Sequence, residues 1–141
     1  MSSNFPAILN PMEELINSGL EIRAELQKAA IDLELAIEGQ FSKRQVAKEL
    51  KRIYDEMEAE YTAETMFAAN GKNAESRKAE LEAALVKARR DGFLARAWAQ
   101  MNAAAYDAAE AESAYEQCSK RFRATEAAAD LTAALLRAAT R

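Results

Sequence analysis

The chain has 141 residues, a net charge of −4, no histidine and one cysteine. That excludes Ser-His-Asp and Cys-His nucleophile systems, histidine metal sites, a cysteine zinc site and an intrachain disulfide. About a quarter of the residues are alanine, against four glycines and two prolines, and no β-branched or aromatic run reads as a strand, so the expected fold is all-α in a single domain.

Residues 1–10 read as an arm, with Phe5, Ile8 and Leu9 available to dock it. Asn10-Pro11-Met12-Glu13 is a helix start: an N-cap, a proline at the first helical position and acids in the first turn. The first helix is expected over about 11–38, stopped by Gly39, with an apolar stripe of Leu15, Ile22, Leu26, Ala29, Leu33 and Ile37. Ser42-Lys43-Arg44-Gln45 fits a capping box, so a second helix is expected over about 43–70. Its stripe is Val46, Leu50, Ile53, Met57 and Tyr61, and Asn70-Gly71 ends it. Asn73 then caps a third helix over about 73–91, and Asp91-Gly92 reads as a tight turn between antiparallel helices.

The last helix is expected over about 93–140, a stretch with neither glycine nor proline. Every seventh residue from Leu94 is apolar or aromatic: Met101, Ala108, Tyr115, Phe122, Ala129 and Leu136. The companion row of Ala97, Ala104, Ala111, Cys118, Thr125, Thr132 and Ala139 is small throughout, which describes a coiled-coil seam of close helix approach. At 1.5 Å per residue such a helix spans roughly 70 Å, more than the roughly 40 Å of a compact domain this size. The expected architecture is an elongated antiparallel helical hairpin or bundle with a long C-terminal coiled-coil helix. The alternative is a compact bundle with a break at Ala103–Ala109. In the elongated form the seam Leu94, Ala97, Met101, Ala104, Ala108, Ala111, Tyr115, Cys118 and Phe122 is only partly covered by its own chain, so a second copy, most simply in a homodimer, is the expected partner.

Candidate chemistry is sparse. The four glycines are isolated, so no phosphate loop exists. Asp55, Glu56, Glu58, Glu60 and Glu64 point around their helix and read as a solvated face, so no cofactor, no metal and no enzymatic activity are expected. Cys118 reads as a small buried side chain, and Trp98 and Phe93 as aromatics packed where the last two helices meet. Lys43, Arg44, Lys48, Lys51 and Arg52 put five cations against the single acid Glu49, and Lys87, Arg89, Arg90 and Arg96 form a second cluster. Both read first as a solvated or intramolecular charge face, as Lys51–Asp55 and Arg52–Glu56 at i,i+4 would make it, and the alternative is a patch for nucleic acid or an acidic partner. No stretch is long and apolar enough for a membrane span, the N-terminus lacks the features of a signal peptide, and the lone cysteine fits a reducing compartment; a cytoplasmic, non-membrane protein is expected.

Gly71-Lys72-Asn73-Ala74-Glu75-Ser76-Arg77-Lys78-Ala79 follows a Glu/Ala/Tyr helix and precedes an alanine-rich coil with a basic cluster at Lys120, Arg121 and Arg123. This stretch resembles the "GKNAExRKA" hinge of small helical proteins encoded by phages and prophages, and the resemblance covers the chain from about Tyr61 onward. Such genes often neighbour phage recombination and replication genes. The resemblance therefore implies a host-cytoplasm setting and a non-specific DNA-binding accessory role in those processes as one reading. The residues themselves favour another: a non-enzymatic helical interaction protein that acts as an adaptor or inhibitor of a host or phage protein. Asn70, Gly71, Asn73 and Arg77 are the hinge residues in either case, with Arg77 placed to reach a carbonyl or Glu64.

Overall fold

In the computed structural model residues 10–71 and 73–140 are described, and the reading of the N-terminal arm, apart from Asn10, lies outside them. The fold is all-α: α1 over Pro11–Ala68, α2 over Ala74–Asp91 and α3 over Ala95–Ala139. Asn10 caps α1 as its sequence demands, its Oδ1 accepting from the Glu13 N–H at 2.8 Å. The long C-terminal helix is continuous through Ala103–Ala109.

Two expected helices are one. α1 runs for 58 residues through Gly39 and through the Ser42 capping box. The reason lies in the side chains that α1 turns inward. Met12, Leu15, Gly19, Ile22, Leu26, Ala29, Leu33, Ala36, Gln40, Ala47, Leu50, Tyr54, Met57 and Tyr61 are buried or half-buried, and their steps of three and four keep one phase from end to end, although Lys43 at one such position is exposed. A helix whose buried face does not shift at a glycine gains nothing by stopping there. The intrinsic cost of glycine, about 1 kcal/mol against alanine, is small beside that burial. Gly39 has a negative φ and so forms no left-handed stop. The same phase corrects the expected stripes: Ile37, Val46 and Ile53 are exposed, and Tyr54, 2% exposed, holds the inward place.

The chain falls into two compact units, one of Met1–Glu38 with Ser113–Arg141 and one of Gly39–Glu112. In the first, α1 and α3 run antiparallel. Gly19 lies beside Thr132 and Leu136, and further along α1 Asp32 meets Arg121 at 3.9 Å. In the second, α1 is paired in turn by α2 and by α3. Asn70 meets Glu80, Tyr61 meets Ala84 and Tyr54 meets Arg89; then Tyr54 meets Trp98 and Arg44 meets Glu112. Contacts descend α1 as the chain ascends, so both partners run antiparallel to α1. The chain therefore reverses at Asn70–Asn73. Asp91-Gly92, expected as the reversal, is a break between two helices that head the same way. There the Gly92 and Leu94 N–H groups both donate to the Ala88 carbonyl, at 3.2 and 3.1 Å, and α3 restarts with Trp98 N–H to Leu94 O at 2.8 Å.

The reversal is held by local contacts on both sides of the turn. Asn73 Oδ1 accepts from Ser76 N–H at 2.8 Å and caps α2, and Asn70 N–H donates to Glu80 Oε2 at 3.2 Å. Gly71 packs so closely that a Cβ there would sit 2.8 Å from the Arg77 nitrogen and 2.9 Å from Ser76 Cβ. Among the described residues Arg77 makes no ion pair, and its stem instead lies against Gly71. The two glycines therefore have opposite roles. Gly71→Ala should destabilise the protein by about 1–3 kcal/mol through overpacking against backbone. Gly39→Ala, with no atom within 4 Å of the new methyl, should stabilise it by about 0.5–1 kcal/mol. Urea unfolding followed by circular dichroism measures both signs.

Candidate functional site

The two features singled out from sequence, the seam and the basic clusters, are placed differently by the structure. The seam residues Leu94, Ala97, Met101, Ala104, Ala108, Ala111, Tyr115, Cys118 and Phe122 are all buried or half-buried within the single chain. Leu94 is fully buried with Tyr54 and Ala88, and Met57, Tyr61, Leu85, Ala97, Trp98 and Met101 pack around them. As a heptad row the reading matches the buried face of α3. Within each unit α3 is paired with α1 of the same chain. A helix stop at Gly39 would have left no second helix long enough to pair with α3, whereas the 58-residue α1 supplies one.

Five of the eight cations in the expected patch have carboxylate partners in their own chain. Arg52 lies between Glu49 and Glu56, donating to Glu49 from Nε at 3.1 Å and Nη2 at 2.6 Å and to Glu56 from Nη1. This pairing raises the guanidinium's pKa and holds the Glu49 carboxyl below its usual range, first through the hydrogen bond and then through charge. Lys51 donates to Asp55 at 2.8 Å, which raises its pKa in the same way. Arg44 reaches Glu112 at 3.6 Å and Arg90 reaches Asp91 at 3.6 Å. Among the described residues Lys43, Lys48 and Lys87 make no ion pair. Exposed i,i+4 pairs of this kind contribute only tenths of a kcal/mol each, but they hold the charges in fixed partnerships. In the patch Lys43, Arg44, Lys48, Lys51, Arg52, Lys87, Arg89 and Arg90, five members thus share their charge with carboxylates of the same chain and three do not.

Arg89 departs furthest from its expected role. Its Nε donates to the Tyr54 hydroxyl at 2.7 Å and its Nη2 to Glu58 Oε1 at 3.1 Å. Its guanidinium carbon stands 4.6 Å from the centre of the Trp98 ring, and the Tyr54 and Trp98 rings lie 5.2 Å apart at 53°. One cation therefore joins α1, α2 and α3. The hydrogen bond to Tyr54 is the chief reason its pKa is raised. Burial pushes the Tyr54 phenol above its ordinary value, with the Arg89 hydrogen bond opposing. Tyr61 completes the aromatic layer, its ring stacked at 6.4 Å on Phe93 and its hydroxyl 3.4 Å from the Ala84 carbonyl. Tyr54 was invisible as a site residue because its neighbour Ile53, which is exposed, held its place in the expected stripe. The signal that identifies it is the unbroken three–four spacing from Met12.

Of the concavities, one of about 340 Å³ in the first unit is lined by Ile16, Gly19, Leu20, Ile22, Arg23, Leu26, Ala129, Thr132, Ala133 and Leu136. In the second unit Ala47, Met101, Ala105 and Ala108 floor a groove of about 390 Å³ rimmed by Arg44, Lys48 and Lys51. Cys118 is half-buried and unpaired. Among the described residues no group of three or more Asp, Glu or Cys side chains is placed to hold a metal ion, and no helix is long and apolar enough to cross a membrane. Large apolar side chains stand out of the core on the outer faces of the helices, among them Leu20, Ile31 and Leu35 in the first unit and Phe41, Val46, Phe67 and Val86 in the second. Comparison with protein-family models, with curated proteins and with solved structures finds no match.

Removing the Arg89 headgroup with Arg89→Ala should cost about 2–3 kcal/mol, since it strands Glu58 and the Tyr54 hydroxyl. Tyr54→Phe should cost about 1–2 kcal/mol by leaving Arg89 Nε without its acceptor. The raised phenol pKa means that Tyr54's contribution is complete below about pH 10, the unfolded value, and is lost as pH rises through the higher folded value. Urea midpoints between pH 8 and about 11 should fall at the alkaline end, and by less in Tyr54→Phe.

Proposed function

We propose that this chain is a non-enzymatic interaction protein that presents helix surfaces to another protein, as an adaptor or inhibitor. The observation that carries this is the set of large apolar side chains left on outward helix faces after the inward faces are paired. Phe67 at the end of α1 is 95% exposed, and Val86 of α2 and Phe41 and Val46 of α1 are more than half or about half exposed. Large apolar side chains left outside the core offer surface that a protein partner can cover. The sequence resemblance adds a setting, with the partner a host or phage protein in the cytoplasm.

Nucleic acid is the weaker partner because Arg44, Lys51, Arg52, Arg89 and Arg90 already have carboxylate neighbours in their own chain. A protein releasing counterions from DNA needs cations free to meet phosphates.

Immobilised full-length chain should retain a discrete protein from host lysate, and Phe67→Ser and Val86→Ser, which leave the core untouched, should lose it. Recovery of the same proteins by wild type and both variants would count against the proposal. Salt-dependent retention of DNA at about 50 mM salt by the wild type would replace it with the nucleic-acid reading.

A further inference from the structure

We propose that the α1 segment of the first unit pairs with the same segment of a second copy, antiparallel, through the stripe Leu20, Ala24, Gln27, Ile31 and Leu35. This goes beyond the interaction role above, because it uses a different surface and a different partner.

The five residues follow steps of four, three, four and four and occupy about 80° of the helix circumference, roughly opposite the inward row that α3 covers. All five are exposed, with Leu20 at 60%, Ile31 at 58% and Leu35 at 61%. A segment that is apolar on two opposed sides is built to be covered on both, and α3 covers one.

The spacing of the second side is self-complementary. An antiparallel pairing whose two-fold axis passes between Gln27 and Lys28 sets Leu20 of each copy against Leu35 of the other and Ala24 against Ile31, a small residue opposite a large one. Gln27 lies beside the axis, where a polar residue in an apolar stripe fixes register. Two-fold symmetry makes each of these contacts twice.

Charge on one edge of the stripe agrees with the register. Arg23 and Glu34 lie along one edge of the stripe, and neither has an ion pair within its own chain among the described residues. The antiparallel register brings Arg23 of one copy alongside Glu34 of the other, again twice. Ile16 and Leu20 also wall the apolar concavity of the first unit, so the stripe continues into a groove. Mating two such surfaces removes roughly 1,000 Å² from water, the lower end for specific interfaces and the size of a weak, reversible contact.

Sedimentation equilibrium of the purified full-length chain from about 1 to 100 µM reads the association. The wild type should pass from monomer to dimer. Ile31→Glu should remain monomeric with unchanged circular dichroism, and Val46→Glu, in the other unit, should dimerise as the wild type does. In a Cys118→Ser background, a mixture of Leu20→Cys and Leu35→Cys chains should oxidise to the mixed disulfide dimer, while Leu20→Cys alone should not cross-link to itself. A chain that stays monomeric throughout, a dimer that survives Ile31→Glu, or self-cross-linking of Leu20→Cys would each overturn the pairing. Lysate capture through Phe67 and Val86 is read separately, so a strict monomer that still captures its partner ends this proposal and leaves the interaction role standing.

Discussion

A single guanidinium decides how the second unit is assembled. Arg89, half-buried, lies over Trp98 while Tyr54 and Glu58 accept its N–H groups. The acceptors are on α1, the cation on α2 and the ring on α3. No two of these helices can shift along each other without breaking a contact to the third. The break at Gly92 follows from this: α2 must end so that α3 can start with Leu94 buried against Tyr54 and Ala88. Apolar packing alone would tolerate small slips; a directional contact among three helices does not.

The inward face of α1 works differently. It is a row of modest side chains, several of them alanine or glycine, and its specificity comes from phase rather than from any one contact. Gly19 shows this, since the methyls of Thr132 and Leu136 lie at ordinary contact distance from where its Cβ would be. Small residues bring helix axes together, and close axes leave little of the inward side of either helix in water.

Much of the architecture was legible in the chain. The helical class, the Asn10 and Asn73 caps, the unbroken helix after Gly92 and the heptad face of α3 follow from propensity, capping chemistry and periodicity, which are local. Gly39 misled because glycine and a capping box are local stop signals, and what overrode them was tertiary: the inward phase that joins Leu33 and Ala36 to Leu50 and Tyr54. Arg89 misled for a related reason. Its neighbours Lys87 and Arg90 made it look like one of a basic cluster, and no spacing rule says that position 89 of α2 comes to lie beside positions 54 and 98. Charge in sequence gives sign and density, but not which partners each cation meets.

The Arg89 contact has a spectroscopic corollary. Trp98 is the only indole in the chain, and it sits under a cation in one of the two units. Its emission therefore reports on that unit and is silent on the pairing of Met1–Glu38 with Ser113–Arg141. Far-ultraviolet ellipticity sums over both. Fluorescence and ellipticity traces that separate during denaturation would mean the units melt as independent cooperative blocks, and traces that superimpose would mean the continuous helices couple them.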